Sequence, residues 1–349
     1  MGYRSVSVTV AGFWQHHVKR AFVAVSALAF TSSVAWAASD KPLRVVASFS
    51  ILGDMVQQVG GEAVQVSTIV GAEGDAHSFE PRPSDTKALA SAELVVMNGL
   101  EFEAWMPRLA QSAGYTGPQV VVTKGITPIA YQDQVHESAH HDDHDHDHDH
   151  DHDHDHDHDH DHDHDHDHHG HQHGEFDPHA WQSLSNAVVY VNNIRDALIQ
   201  ARPAAAEQFH ANAEAYLAQL RDLDQQLQAA FAALPAERRK VITSHDAFAY
   251  LGAEYNIEFI PLLGVSNLAE PSAQEIAGLI DRARTEGISA IFVENVVSPR
   301  LVEQVARETG ATLGGVLYSD ALAKPPHDAD TYLGLIKWNT TKLLEALAP

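Results

Sequence analysis

Residues 134–174 carry 19 of the chain's 26 histidines, 14 aspartates and no lysine or arginine. Within them the dipeptide Asp-His repeats thirteen times without a break over 143–168. Such a segment has too little apolar surface for its burial to offset the entropy of ordering it, so any fold must be built from the sequence on either side. It reads as a disordered loop with a specific chemistry. Imidazole nitrogens suit Zn²⁺, Cu²⁺ and Ni²⁺, and the interleaved carboxylates add charge attraction and oxygen ligands. Auxiliary weak metal sites are therefore expected at His144, His146, His148, His150, His152, His154, His156, His158, His160, His162, His164, His166 and His168. Each carboxylate also favours its protonated neighbour, so metal uptake there should compete with protons near neutral pH. The plain alternative is a solvated acidic spacer.

Residues 1–37 read as an export signal. Lys19 and Arg20 supply the positive region, 21–34 a short apolar core, and Ala35-Trp36-Ala37 a small-x-small cleavage site. That core is shorter than the roughly 20 apolar residues a membrane anchor needs. The chain has no cysteine, hence no disulfide framework and no cysteine to carry a lipid. A free periplasmic protein, exported by a cleavable signal and not lipid-anchored, is the expectation. The formal net charge of −26 comes mostly from the loop. The remainder is only moderately acidic, which argues against nucleic acid as a partner.

Outside the loop, short β-branched runs alternate with helical stretches. Strands are expected at 43–48, 64–70, 93–97 and 119–123, with helices at 50–59, 84–92 and 186–201. The alternation resumes with strands at 240–243, 257–262, 290–293 and 312–316 and helices at 246–255, 272–286, 299–309 and 329–347. Such βα alternation implies parallel sheets covered by helices. Between the two sets, apolar residues fall at Phe209, Ala213, Tyr216, Leu220, Leu223, Leu227, Ala230 and Leu234. Spacing by threes and fours marks one face of a continuous helix over 203–234, about 48 Å long at 1.5 Å per residue. A coiled-coil arm would look similar; a backbone helix packed against both lobes is the preferred reading. The predicted class is α/β, with two parallel-sheet lobes joined by one long rigid helix and a metal site in the interlobe cleft. The corresponding division is an N-terminal lobe at 38–202, a linking helix at 203–234 and a C-terminal lobe at 235–349.

Ligands bind beyond the carboxyl ends of parallel strands. There the chain places His77, in Gly74-Asp75-Ala76-His77, and His245, in Thr243-Ser244-His245-Asp246. Asp320 follows the last strand, and His179 opens a helix in Asp177-Pro178-His179-Ala180-Trp181. Only five histidines lie outside the loop and signal, and three hold these positions. Three imidazoles and a carboxylate make a closed N₃O set suited to tetrahedral Zn²⁺. A single residue of this kind could equally be a hydrogen-bonded group at a helix start. His210, beside the long helix's stripe, and His327, after Pro325-Pro326, have no partner suggested by sequence. Burial disfavours imidazolium, so the cleft is expected to hold its metal to lower pH than the loop does.

At these residues the chain resembles the zinc/manganese-type solute-binding proteins of ABC importers, the ZnuA/TroA-like family. The resemblance spans the mature chain. It rests on His77-Ser78-Phe79-Glu80-Pro81-Arg82-Pro83-Ser84-Asp85, Asn98-Gly99-Leu100-Glu101-Phe102-Glu103-Ala104-Trp105 and the Asp177–Trp181 motif. It also rests on His245-Asp246-Ala247-Phe248-Ala249-Tyr250 and Tyr318-Ser319-Asp320-Ala321-Leu322. The resemblance implies a metal held between the lobes by His77, His179, His245 and Asp320, and delivery to an ABC permease in the inner membrane. It implies Zn²⁺ as the transported ligand, since manganese-type relatives often have a carboxylate where this chain has His245, and zinc-specific members carry a His-rich loop. One departure is Ala76, where the family usually has proline; this should loosen the loop before the first ligand.

The function expected is capture of Zn²⁺ for import by a monomer, with the loop as an auxiliary low-affinity collector or sensor. A periplasmic zinc chaperone is a further candidate partner. The rival readings are a periplasmic zinc buffer or metallochaperone and a manganese-binding transporter component. An enzyme is not expected: Glu80 or Glu294 could be imagined as a general base, but Asp320 would close the coordination position that catalytic zinc keeps open.

Overall fold

The computed structural model describes residues 41–131, 175–264, 271–288 and 290–348. Residues 1–37, read above as an export signal, and the Asp-His run, with all thirteen of its candidate ligand histidines, lie outside the described residues.

β1 (Leu43–Phe49) is almost continuously buried, as a parallel strand covered on both faces must be. α1 (Ser50–Gly60) follows directly and leads into β2 (Val64–Val70), which pairs with β1 from Leu43↔Val64 to Phe49↔Val70. α2 (Pro83–Ala90), β3 (Leu94–Met97), α3 (Met106–Ala113) and β4 (Gln119–Val121) complete a parallel sheet of order β2-β1-β3-β4. α4 (Leu184–Ala201) starts at Ser183, whose side chain accepts from Asn186 N. The sequence reading missed α3: eight residues are too few to display a helical period, and Pro107 sits in the first turn, where the absent N–H costs nothing.

α5 (Ala206–Ala232) comes between the sheets in the chain and runs for about 40 Å at the usual rise. It is shorter than expected at both ends. Pro203–Ala205 forms a separate 3₁₀ turn, and the guanidinium of Arg202 at that corner donates to the carbonyls of Lys41 and Ala63. At the other end Arg239 donates to the carbonyls of Ala232 and Leu234, partners that the last turn cannot supply itself. The buried stripe is Phe209, Ala213, Tyr216, Leu217, Leu220, Leu223, Leu227 and Phe231. Phe231 thus takes the place expected of Ala230, because the stripe drifts round a helix of 3.6 residues per turn.

β5 (Lys240–Thr243), α6 (Ala249–Tyr255), β6 (Glu258–Pro261), α7 (Ala273–Glu286), β7 (Ala290–Glu294), α8 (Arg300–Thr309) and β8 (Thr312–Leu317) repeat the pattern. Their sheet is also parallel, in the order β6-β5-β7-β8, and α9 (Tyr332–Leu347) covers it. α5 packs on α1 and α4 of the first lobe and on α6 and α9 of the second. One apolar cluster runs from β1 and α1 through α4 and α5 to α9, while a smaller one fills the space between the second sheet and α7 and α8. The two-lobed parallel α/β architecture is the one the βα alternation predicted. Among the described residues no helix is long and apolar enough to cross a membrane.

Candidate metal centre

In each sheet the strand order turns back on itself between the first strand and the third, and the groups beyond those carboxyl ends face the cleft. In the second lobe this point lies between β5 and β7. Thr243 ends β5, and His245 stands two residues on; Glu294 is the last residue of β7. His77 lies in the loop after β2, and Asp320 three residues after β8. His179 precedes the 3₁₀ turn Ala180–Gln182. One ligand-capable atom from each of His77, His179, His245 and Asp320 lies within 4.8 Å of all the others. All four residues singled out by the sequence therefore meet at one point.

The spacing decides what that point can hold. Nε2 of His77 and Nε2 of His179 are 3.1 Å apart. Nε2 of His179 lies 3.3 Å from Asp320 Oδ1, and Nε2 of His245 lies 3.3 Å from Oδ2. His77 Nε2 is 3.7 Å from Oδ2. Tetrahedral coordination with bonds of about 2.0–2.1 Å requires ligand–ligand edges of about 3.3 Å. His179, His245 and Asp320 are fully buried, and the His77 side chain is 8% exposed, which leaves His77 as the ligand nearest solvent.

Two carboxylates overlooked by the sequence reading orient the imidazoles. Asp177 Oδ1 is 2.7 Å from His179 Nδ1 and also accepts the backbone N–H of His179. Glu294 Oε2 is 2.5 Å from His245 Nδ1, and its Oε1 accepts the His245 N–H. A carboxylate can only accept, so Nδ1 carries the proton in each ring and Nε2 is left to face the centre. Glu294 is thus placed as a buried support for a ligand and not as a general base. Asp177 was visible two residues before His179 in sequence; Glu294 required knowing that β7 lies beside β5. Glu80 is exposed and takes no part.

A second support is the segment after β3. Gly99, Leu100 and Glu101 all have positive φ, and the turn is held by buried Glu103, which accepts from Ser48 Oγ and from the N–H groups of Asn98 and Gly99. Asn98 in turn donates to the carbonyl of Pro178, before His179. Trp105 Nε1 donates to the carbonyl of Ala76, before His77. Phe102 packs its ring 4.8 Å from that of His77. The loosening expected from Ala76 is accordingly countered. Ala76 is fully buried, and Asp75 Oδ1 accepts the N–H of His77 at 2.8 Å.

Burial pushes the His77 imidazole down to about 4, only partly opposed by Asp320. For His179, burial acts the same way, but Asp177 and Asp320 outweigh it and raise the group to about 9. His245 is likewise raised well above its ordinary value, with Glu294 and Asp320 overcoming burial. Asp320 is held well below the usual carboxylate range by His245 and His179 despite its burial. The expectation that desolvation would keep the whole cleft unprotonated is therefore correct for His77 alone; two buried carboxylates not counted in it reverse the sign for the others. Of the remaining histidines, His210 is exposed, and His327 packs against Trp338 with its Nδ1 accepting the N–H of Ala329.

A family profile described as "ZnuA: Zinc-uptake complex component A periplasmic" matches residues 45–346. The chain belongs to this family. It is the metal-binding, solute-binding component of an ABC importer, not an enzyme, and such a component works with a membrane permease. It is 32% identical over 325 residues to the iron-binding protein YfeA of Yersinia pestis, covering 91% of this chain and 93% of that protein. It is 28% identical to the manganese-binding lipoprotein MntA of Halalkalibacterium halodurans, covering 88% and 89%. Identity is 29% to the iron ABC transporter substrate-binding lipoprotein MtsA of Streptococcus pyogenes, covering 94% and 96%. Among solved structures, the Mn-bound periplasmic metal binding protein (S38A mutant) of candidatus Liberibacter asiaticus superposes with a TM-score of 0.72 at 30% identity, covering 87% and 99%. The periplasmic zinc binding protein TroA of Treponema pallidum does so with a TM-score of 0.73 at 25% identity, covering 88% and 100%.

These relatives correct one expectation. MntA and MtsA are named lipoproteins, so the reading of a free periplasmic species, not lipid-anchored, does not stand. It rested on the missing cysteine, which bears on one chemistry of attachment only and does not fix where a protein works.

Proposed function

We propose that the cargo is Zn²⁺, bound by Nε2 of His77, His179 and His245 and by one oxygen of Asp320, and delivered to the permease. The donor set carries this reading. Three borderline imidazole nitrogens and a single carboxylate, spaced for tetrahedral bonds of about 2 Å, suit zinc better than Mn²⁺, which favours oxygen ligands in larger number. Fe²⁺, named for two relatives, stands below Zn²⁺ in the general order of affinity for such ligands. The two orienting carboxylates, hydrogen-bonded at His179 and in ion-pair contact at His245, add the outer support that zinc-binding imidazoles commonly have.

In the same proposal the Asp-His run is an auxiliary, weaker collector or sensor. Its flanks support this: Tyr131 N donates to the carbonyl of Glu175, and Ala130 bridges Phe176. The described residues on either side of the run are therefore held together close to Asp177 and His179 in the chain. We further propose one protein copy per cargo ion, and the division into lobes at 38–202 and 235–349 with the linking helix between.

The test is competition among Zn²⁺, Fe²⁺ and Mn²⁺ for metal-free protein at one equivalent, with metal read by elemental analysis after gel filtration. Zinc occupancy above nine-tenths is expected. A site filled by manganese or iron against equimolar zinc would overturn the assignment.

A further inference from the structure

His179 is followed at two and three residues by Trp181 and Gln182, both fully buried. The indole Nε1 of Trp181 and the amide Nε2 of Gln182 donate to one acceptor, the carbonyl of Ser319, at 2.9 and 2.8 Å. Ser319 immediately precedes Asp320, and its carbonyl lies in the rigid peptide plane leading into the Asp320 Cα. The direction of that carbonyl therefore sets where the Asp320 side chain leaves the backbone.

Among the described residues the carboxylate itself is held only by its ion-pair contacts with the three imidazoles. Its two oxygens approach the three imidazoles, but neither accepts a further hydrogen bond among the described residues. The donors themselves are stiffly mounted. Trp181 packs its ring 4.9 Å from Phe49 and 4.8 Å from Phe102, and the Trp181 carbonyl accepts from the Tyr332 hydroxyl at 2.6 Å. Gln182 buries an amide oxygen that has no partner among the described residues. Retaining an amide at that cost needs a reason, and among the described residues its nitrogen donates to the carbonyls of Ser319 and, more distantly, Tyr318.

We propose that Gln182, acting with Trp181, is a positioning residue for the fourth ligand. It ties the Asp320 peptide of the C-terminal lobe to the turn that carries His179 in the N-terminal lobe, so that the carboxylate is aimed at the centre before metal arrives. This rests on the reading of Asp320 as a ligand. Loss of such an outer hydrogen bond commonly costs 10–100-fold in metal affinity, and here the loss should be felt only through Asp320.

A double-mutant cycle tests this on the full chain, with Zn²⁺ affinity of the tight site measured by chelator competition and the thermal midpoint of each metal-free protein recorded alongside. Gln182→Met keeps length and apolar volume without the donor; Trp181→Phe removes the other donor and serves as the second variant. Each should weaken zinc by about 10-fold or more. Combined with Asp320→Ala, neither should weaken it further by more than about twofold, since the group being positioned is already gone. Unchanged affinity in Gln182→Met would overturn the proposal, as would an equal loss in both backgrounds. So would failure of both single variants to fold without metal, which would make the pair supports of the fold. If Asp320→Ala alone leaves affinity unchanged, it is the ligand assignment that fails, a result distinct from all of these.

Discussion

Metal binding at neutral pH should expel two protons. In the metal-free centre His179, raised to about 9, and His245, also raised, are both imidazolium at pH 7, whereas His77, lowered to about 4, is neutral. A ligand nitrogen must lose its proton to bind. The two positive charges lost equal the charge of one divalent ion, so the exchange leaves the net charge beside Asp177, Glu294 and Asp320 unchanged and buries no new charge. The sign follows directly. Groups with raised pKa hold protons that metal must displace, so affinity falls as pH falls and rises towards pH 9. With two protons displaced, apparent affinity should change by about 100-fold per pH unit, or about 2.7 kcal/mol, around neutrality. Calorimetry of Zn²⁺ binding at pH 7 in buffers of different ionisation enthalpy reads the proton count directly; protein lacking 143–168 keeps the Asp-His run from contributing. A count near zero would mean that burial wins at all three imidazoles and that the carboxylates beside His179 and His245 have been overweighted. The expectation that the loop sheds metal before the cleft as pH drops no longer follows from burial alone.

The same shifts make a claim about the metal-free fold. Stability contributed by imidazolium at His179 is fully present below its unfolded value of about 6.5 and lost as pH rises through about 9. Denaturant melts should therefore weaken over that window without zinc and not with it. His179→Ala or His245→Ala should lower zinc affinity by orders of magnitude, and Asp320→Ala by less, because water can fill a vacated oxygen position; chelator competition would show the ranking. Deleting 143–168 should leave the metal-free melting midpoint and the tight site unchanged and remove only weaker sites, seen as a lower zinc stoichiometry at saturation. Replacing Phe209, a fully buried side chain on α5, by alanine should cost about 3–5 kcal/mol in chemical denaturation without altering the proton count.

Most of the architecture could be read from the chain because it depends on local periodicity. β2 and β5 begin and end where their β-branched runs do, and the stripe from Phe209 to Leu227 marks α5. Errors fell where short-range pattern gives way to local geometry: at Pro203, at Phe231 and in the eight-residue α3. The four residues of the candidate centre were also legible, since His77, His245 and Asp320 follow strands and His179 opens a turn, and parallel sheets send such positions to one side.

The sequence by itself determined which groups meet; their protonation was decided by the tertiary structure. Glu294 lies 49 residues from His245 along the chain, and only the pairing of β7 with β5 brings them together. Ser319 is 137 residues from Gln182, and no spacing rule connects them. Burial can be guessed from apolar surroundings, but the sign of a buried histidine's shift depends on whether a carboxylate shares the burial within about 3 Å. For His245 that distance is set by the pairing of β7 with β5 inside one sheet, and for His179 by the turn that carries Asp177 two residues before it.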